Sequence, residues 1–372
     1  MNRVEVRVAP TAHRPLVGGV ALSLMLIVVA CTASTPVSGR RYILRLANHI
    51  KLRGTVAAAT AGSRDVIALT RDRNHISRLW RVDPRSGRPE GASSDIHLGA
   101  FNVVLASRIG LWVATGSRGQ RQDDSMGSLI EVFPSGVTMK MASIASRPTS
   151  ITLFRGSIWV ADEGKRLGDG TIQRIDPDSG KVVRIITDLD FPDSIATAGG
   201  EMWASGVNGD LWQIDPRTYR VHDVPGYAHV QTIAGGSLWT IGTNTVQQRD
   251  AKTGRIEKES RAIGCVPAYL ILHGPRGWIT KCLPVTGGDS SVDEVGLGAI
   301  VLSTFDPATL EPGGVPIELD SELAVNEKAF YAFGSVWIPT ARELLQVQPA
   351  SLRCQSDARC ASRREVVFAP RR

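Results

Sequence analysis

Leu111-Trp112-Val113, Ile158-Trp159-Val160, Met202-Trp203-Ala204, Leu238-Trp239-Thr240, Gly277-Trp278-Ile279 and Val336-Trp337-Ile338 are six versions of one short segment, an indole held in a mostly apolar run. A seventh segment, Val66-Ile67-Ala68-Leu69, fits the slot with Ile in place of Trp. The Trp residues follow one another at spacings of 47, 44, 36, 39 and 59 positions. A recurring unit of this length, made of short alternating strands, is the signature of a β-propeller.

The residues downstream of each slot carry the same reading. Leu79 to Pro84, Leu129 to Pro134, Ile172 to Pro177 and Leu211 to Pro216 alternate apolar and polar side chains and end in Asp-Pro or Phe-Pro. Val246 to Asp250, Leu302 to Pro307 and Leu344 to Pro349 complete the set. Alternation marks a half-buried strand. Asp-Pro stops it, because proline cannot donate to a ladder and Asp bonds its own backbone two residues on. Ser86-Gly87, Ser179-Gly180 and Thr253-Gly254 then complete a turn, and a fourth strand follows, such as Lys181 to Ile186. Before each Trp strand stands a strand of small residues, such as Thr149 to Leu153 or Asp193 to Ala198. Small residues suit the crowded strand that lines a central channel. The expected fold is all-β: a seven-bladed β-propeller of four-stranded antiparallel blades over residues 42–372, with a disulfide-bearing C-terminal tail. Two segments compete to supply the outer strand of the last blade, Tyr42 to Leu52 and Glu365 to Ala369. The N-terminal one is favoured, because a strand shared between the ends fastens a ring that otherwise leaves two open edges.

The run Gly-x-Leu-Trp-Val followed by Ile-x-x-Ile-Asp-Pro-x-Ser/Thr-Gly-Lys-Val resembles the YVTN-type seven-bladed propellers and the streptogramin B lyase-like propellers, over roughly residues 55–350. The resemblance implies a fold and leaves the activity open, since such repeats serve binding proteins, quinoprotein-like domains and lyases alike. The lyases are understood to use His and Glu with Mg²⁺. Their catalytic motif aligns with no stretch of this chain, so no residue is carried over.

The N-terminus has Arg3, Arg7 and Arg14 ahead of an apolar run from Leu16 to Ala30. That is the pattern of a signal peptide over residues 1–30, too short for a comfortable transmembrane helix. The run ends Val28-Val29-Ala30-Cys31, which resembles the bacterial lipobox, whose Cys becomes the first mature residue and carries lipid. Several acyl chains, palmitate among them, would hold the protein on the outer side of the cell membrane, with residues 31–41 as a tether.

The whole chain carries a formal charge of +7, and its first 30 residues hold three Arg and one Glu. Charges are interspersed, with no basic stripe interleaved with aromatics, which argues against nucleic acid as a partner. Four further cysteines in an exported chain predict two disulfides. Cys265 opens an inner strand and Cys282 closes the Trp strand after it, so these two face each other across a hairpin; Cys354 and Cys360 pair locally. By the loop-entropy estimate the first bridge contributes about 3 kcal/mol and the second somewhat over 2.

Recurrence separates structural groups from chemical ones. The six Trp residues and the turn carboxylates Asp83, Asp176, Asp215 and Asp306 repeat around the ring and are assigned to packing and turns. Loops after the Trp strands and between blades do not repeat. They carry Asp123 and Asp124, Asp162 and Glu163, and Asp289, with His229 as the one histidine on that rim. These six are the candidate ligand-binding residues. Hard cations favour such oxygen-rich loops, but the spacing matches no EF-hand and no metal site is assigned. GxSxG, HExxH and Walker A patterns are absent. No cofactor follows. The expectation is a monomeric, lipid-anchored binding or scaffolding module for a protein or cell-wall glycan; the alternative is a metal-dependent lyase or hydrolase with its site at the channel mouth.

Overall fold

The computed structural model describes residues 42–351, apart from 75, 93–95, 100, 108–109, 117–125, 134–137, 199, 263–264, 275, 285–299, 320–327 and 342. Every regular element among the described residues is a strand. They form seven antiparallel sheets, each with a four-stranded path. The protein is a seven-bladed β-propeller.

The third blade shows the plan. Its inner strand Pro148–Phe154 pairs with the Trp strand Ser157–Asp162, which pairs with Gly170–Ile175, which pairs with the outer strand Val182–Leu189. The turn from inner to Trp strand is Arg155-Gly156, both at positive φ, and Phe333-Gly334 of the seventh blade does the same. Two left-handed residues give the hairpin turn whose twist matches the flanking strands. The inner strands contact one another in sequence, and Phe330–Ala332 of the seventh blade meets Thr55–Ala61 of the first, so the ring is closed.

Closure uses the N-terminal segment. Tyr42–Ile50 is the outer strand of the seventh blade and runs antiparallel to Leu344–Ser351, with Leu46 opposite Val347 and a bulge between Leu46 and Asn48. The first and last described strands are thus joined in one sheet, and Asn48 adds a 2.6 Å hydrogen bond to Gln346. The first blade departs from the plan by one short strand, Ile96–His97, which also pairs with Ile76–Val82.

The core lies between blades, in seven apolar clusters. Each slot residue packs against the blade that follows: Trp159 with Ile195 and Met202, Trp203 with Val230 and Leu238, Trp337 with Val56 and Val66. Ile67 of the first blade does so with Val113 and Val132 of the second. All six slot indoles are at most 4% exposed. Three of them, Trp159, Trp239 and Trp337, donate Nε1–H to the last carbonyl of their own inner strand at 3.0–3.3 Å. In these three the ring is buried with its one polar atom satisfied, whereas Trp112 Nε1 is buried without a partner among the described residues.

The Asp that ends the third strand shapes an identical turn in five blades. Asp83, Asp176, Asp215, Asp250 and Asp306 each accept, on the backbone carbonyl, the amide four residues on. Their carboxylates take the amide two residues on, at 2.8–3.1 Å. Bonds to Ser86, Ser179, Thr218 and Thr253 and to neighbouring amides hold the carboxyls of Asp83, Asp176, Asp215 and Asp250 below the ordinary Asp value. These groups are structural, as their recurrence implies.

Cys265 and Cys282 lie in paired strands, Cys265–His273 and Arg276–Pro284. The register sets Cys265 opposite Pro284 and Cys282 opposite Pro267, so the two cysteines are diagonal rather than directly opposed. Diagonal Cα atoms stand about 7–8 Å apart, at or just beyond the span a disulfide bridges. Cys31, Cys354 and Cys360 lie outside the described residues.

Candidate functional site at the channel mouth

In this fold the connection that enters an inner strand and the one that leaves a Trp strand meet on one face. Backbone bonds knit them there: Glu163 N to Arg147 O, Val207 N to Phe191 O, and Ala228 N to Gly209 O. The predicted rim is this face.

Asp162 ends the Trp strand of the third blade and is 3% exposed. Its Oδ2 accepts from the Arg147 amide and its Oδ1 from the Gly164 amide at 3.0 Å. Burial raises its pKa, and the two amides and the Arg147 charge pull it back. It fastens two rim loops to each other, a structural task. Glu163 is half-buried and pairs with Arg147, its Oε1 3.1 Å from Nη1. Neither carboxylate bonds to His229. Asp123, Asp124 and Asp289 lie outside the described residues.

His229 is at the centre of a cluster that sequence reasoning found only in part. It opens the inner strand of the fifth blade, His229–Ala234. Its Nδ1 lies 3.5 Å from Oδ2 of Asp193, and its Nε2 lies 2.9 Å from the Tyr227 hydroxyl. The imidazole thus has a carboxylate beside one nitrogen and a hydroxyl beside the other. Asp193 comes from the inner strand of the fourth blade, Pro192–Ala198, and its Oδ1 accepts from the Ser205 hydroxyl at 2.9 Å. Ser205 in turn accepts the Val230 amide at 2.9 Å, which ties the fourth blade to the fifth. Burial raises the Tyr227 pKa, and the Asp193 charge raises it further, so the phenol stays protonated.

One more residue reaches this place from across the ring. Lys328 precedes the inner strand of the seventh blade, and its Nζ donates to Ser194 Oγ, on the fourth blade, at 2.6 Å. The fourth and seventh blades are three steps apart in a ring of seven, so the side chain crosses the channel. Its side chain is exposed to solvent. Crowding lowers its pKa through desolvation, and the Asp193 charge opposes the fall. Lys328 lies in no repeat and no motif. Only a strand alignment placing it beside Asp193 and Ser194 would have drawn attention to it.

A cleft of about 380 Å³ opens on the same face, between residues 208–212 and 223–227. Tyr227 lines it, and its ring packs on the backbone of Gly209, where a side chain would collide. Tyr227 therefore links the cleft to the Asp193–His229 pair. Among the described residues no group of three His, Cys, Asp or Glu side chains converges as a metal would require.

No family model matches the chain, and no curated protein does. Among solved structures it is similar to the computationally designed Ika8 protein, with 11% identity and a TM-score of 0.53. The match covers 81% of this chain and 98% of that one. At such identity the likeness concerns the fold alone.

Proposed function

We propose that this protein is a binding module that takes its ligand at the mouth of the propeller channel. The observation supporting this is the convergence of Lys328, Ser194, Asp193, His229 and Tyr227 from three blades at one end of the ring. Convergent polar groups in a concave site are what fix a ligand's orientation. The remaining parts of the proposal rest on sequence. Residues 1–30 export the chain, Cys31 carries lipid that holds it on the outer face of the membrane, and the repeats are of the YVTN or streptogramin B lyase-like type. Bridges Cys265–Cys282 and Cys354–Cys360 belong to the same exported reading, and peptide mapping without reductant tests them.

One experiment addresses address and binding together. Wild type, Cys31→Ala and a Lys328→Met/His229→Ala double variant are expressed in the native host and fractionated. The wild type should sediment with membranes and the Cys31→Ala protein should not. Mass spectrometry of wild type purified from membranes should find a small molecule, glycan or protein that the folded double variant has lost. Equal recovery from both would sink the channel-mouth reading.

A second reading, a lyase or hydrolase, draws on one observation: His229 stands between a carboxylate and a phenol, as an oriented general base would. If wild type consumes the co-purified ligand and His229→Ala does not, this reading replaces the first.

A further inference from the structure

The donors and acceptors around Lys328 do not balance. An ammonium has three N–H donors and no acceptor. One N–H goes to Ser194 Oγ. No carboxylate among the described residues lies within ion-pair distance of the other two. Asp193 is the charge that acts on Lys328, yet its oxygens already face Ser205 and His229. Ser194 is 3% exposed, and its hydroxyl, having accepted from Lys328, bonds no acceptor among the described residues. Three hydrogens on two atoms 2.6 Å apart are thus placed to meet the oxygens of one ligand, the ammonium's from an exposed position and the hydroxyl's from a buried one. A ligand oxygen that reaches the buried Ser194 hydroxyl meets a donor left without an acceptor among the described residues, and the bond from the ammonium beside it is charge-assisted.

We infer that the channel mouth binds a small monocarboxylate, or the monocarboxylate end of a larger ligand, on Lys328 and Ser194. This deepens the binding reading above and rests on it. A carboxylate offers two oxygens with several lone pairs, enough for the two free N–H groups of Lys328 and the Ser194 hydroxyl. Asp193 sets the charge of the ligand. The Asp193 charge offsets that of the Lys328 ammonium, so the pair attracts an anion only weakly, and the desolvation cost of a dianion, which rises with the square of its charge, outweighs that attraction where a monoanion's does not. The site therefore discriminates against sulfate and doubly ionised phosphate. Tyr227, whose phenol stays protonated, and the cleft beside it give the rest of a longer ligand a place to lie.

The test uses the full chain in detergent, with propionate as the probe and sulfate at matched ionic strength as the control. Lysine side chains are labelled with ¹³C by reductive methylation, and the Lys328 signal is assigned by its absence in Lys328→Met. Propionate should shift that signal saturably, and sulfate should bind at least tenfold more weakly. Ser194→Ala should weaken propionate at least threefold, and Asp193→Asn should narrow the gap between propionate and sulfate. Because methylation itself alters the amine, calorimetry on unmodified protein repeats the titration; there Lys328→Met should lose at least tenfold in affinity at an unchanged unfolding midpoint. A linear, unsaturable response, or equal binding by Lys328→Met, overturns the inference. Equal affinity for sulfate overturns the monoanion selectivity. If propionate fails while the double variant still loses the native co-purifying ligand, the mouth binds something else and only the ligand class falls. If neither measurement responds, the binding reading falls with it.

Discussion

In the fourth blade the residue before the turn carboxylate is Ile214; in the fifth, at the same place, it is Arg249. Both are buried, at 0% and 2% exposure. Both precede an Asp that makes the same turn, Asp215 with Arg217 and Thr218, Asp250 with Lys252 and Thr253. Around Ile214 the neighbours are apolar: Trp159, Ile195 and Met202. Around Arg249 they are polar. Its Nε donates to Thr240 Oγ1 at 3.1 Å, Nη2 to Gln247 Oε1 at 2.7 Å and Nη1 to the Gly254 carbonyl at 2.8 Å. Gln247 passes the network on to Glu259 at 2.8 Å, and that exposed carboxylate supplies the counter-charge. Burial lowers the Arg249 pKa. The backbone of the repeat is thus fixed by its turn, while the occupant of the core position is free to be oil or charge, provided every donor is met.

The slot indole between these two blades is where the comparison breaks most easily. Trp203 is fully buried, packs on Val230 and Leu238, and donates Nε1–H to the Ala251 carbonyl at 2.9 Å. Trp203→Ala removes the ring and leaves a cavity between blades, with an expected loss of about 3–5 kcal/mol. Urea unfolding should show it as a lower midpoint at an unchanged slope. A loss below about 1 kcal/mol would mean that the blades are not held by their indoles.

Replacing Arg249 by Leu sharpens the contrast, since it rewrites the fifth blade as the fourth. Shape and hydrophobicity then suit the position, but the Gly254 carbonyl loses its donor, while Gln247 Oε1 keeps only the Thr240 hydroxyl. An orphaned buried acceptor costs about 1–3 kcal/mol, and the gain in apolar burial offsets part of it. The expected net loss is about 2 kcal/mol by the same measurement. The double variant Arg249→Leu/Gln247→Leu should lose more still, because the buried Thr240 hydroxyl is then left without its acceptor. If the single variant is as stable as wild type, the polar network is not what holds this site.

The blade was legible in the sequence because its determinants are local and repeated: an indole slot, an alternating strand, an Asp turn. Even there the letters understate the rule. The fifth residue of the turn is left-handed in all five copies, as Gly87, Gly180, Tyr219, Gly254 and Leu310. A side chain on Gly180 would meet the Met141 backbone, and one on Gly254 would meet Trp203 at 2.6 Å, so this position always abuts the preceding blade. Tyr219 accepts its backbone strain and fills the gap instead, its ring 6.3 Å from Trp159 and its hydroxyl accepting from Arg174 at 2.6 Å. Reading Ser/Thr-Gly as the turn signal finds three of the five. The rim was legible only as polarity. Asp162, a candidate ligand residue by its place in a polar loop, also fastens two rim loops together, while Lys328, 134 positions from Ser194, belongs to no local pattern. Contacts across the channel depend on how the ring closes, and no window of sequence contains that.

Acid titration separates the two kinds of carboxylate with the smallest expected effect. Asp162 has its folded pKa raised, chiefly by burial. The folded state then holds the proton more tightly than the unfolded one, so its contribution is fullest below the unfolded value and declines as pH rises through the folded value. Asp176 has its folded pKa lowered, by the Ser179 amide and hydroxyl first. Its contribution is present above the unfolded value and is lost as pH falls through the folded value. Asp162→Asn and Asp176→Asn should therefore differ from wild type with opposite pH dependence. The deficit of Asp162→Asn should be largest at acid pH and shrink on approach to neutrality. That of Asp176→Asn should be largest at neutral pH and vanish in acid, and it should be slight throughout because the turn is solvated. Urea midpoints measured from pH 3 to 7 decide it, the range that brackets the ordinary Asp pKa of about 3.9. Parallel curves for the two variants would mean that the rim carboxylate and the turn carboxylate sit in the same electrostatic setting, and that recurrence does not separate fasteners from turns.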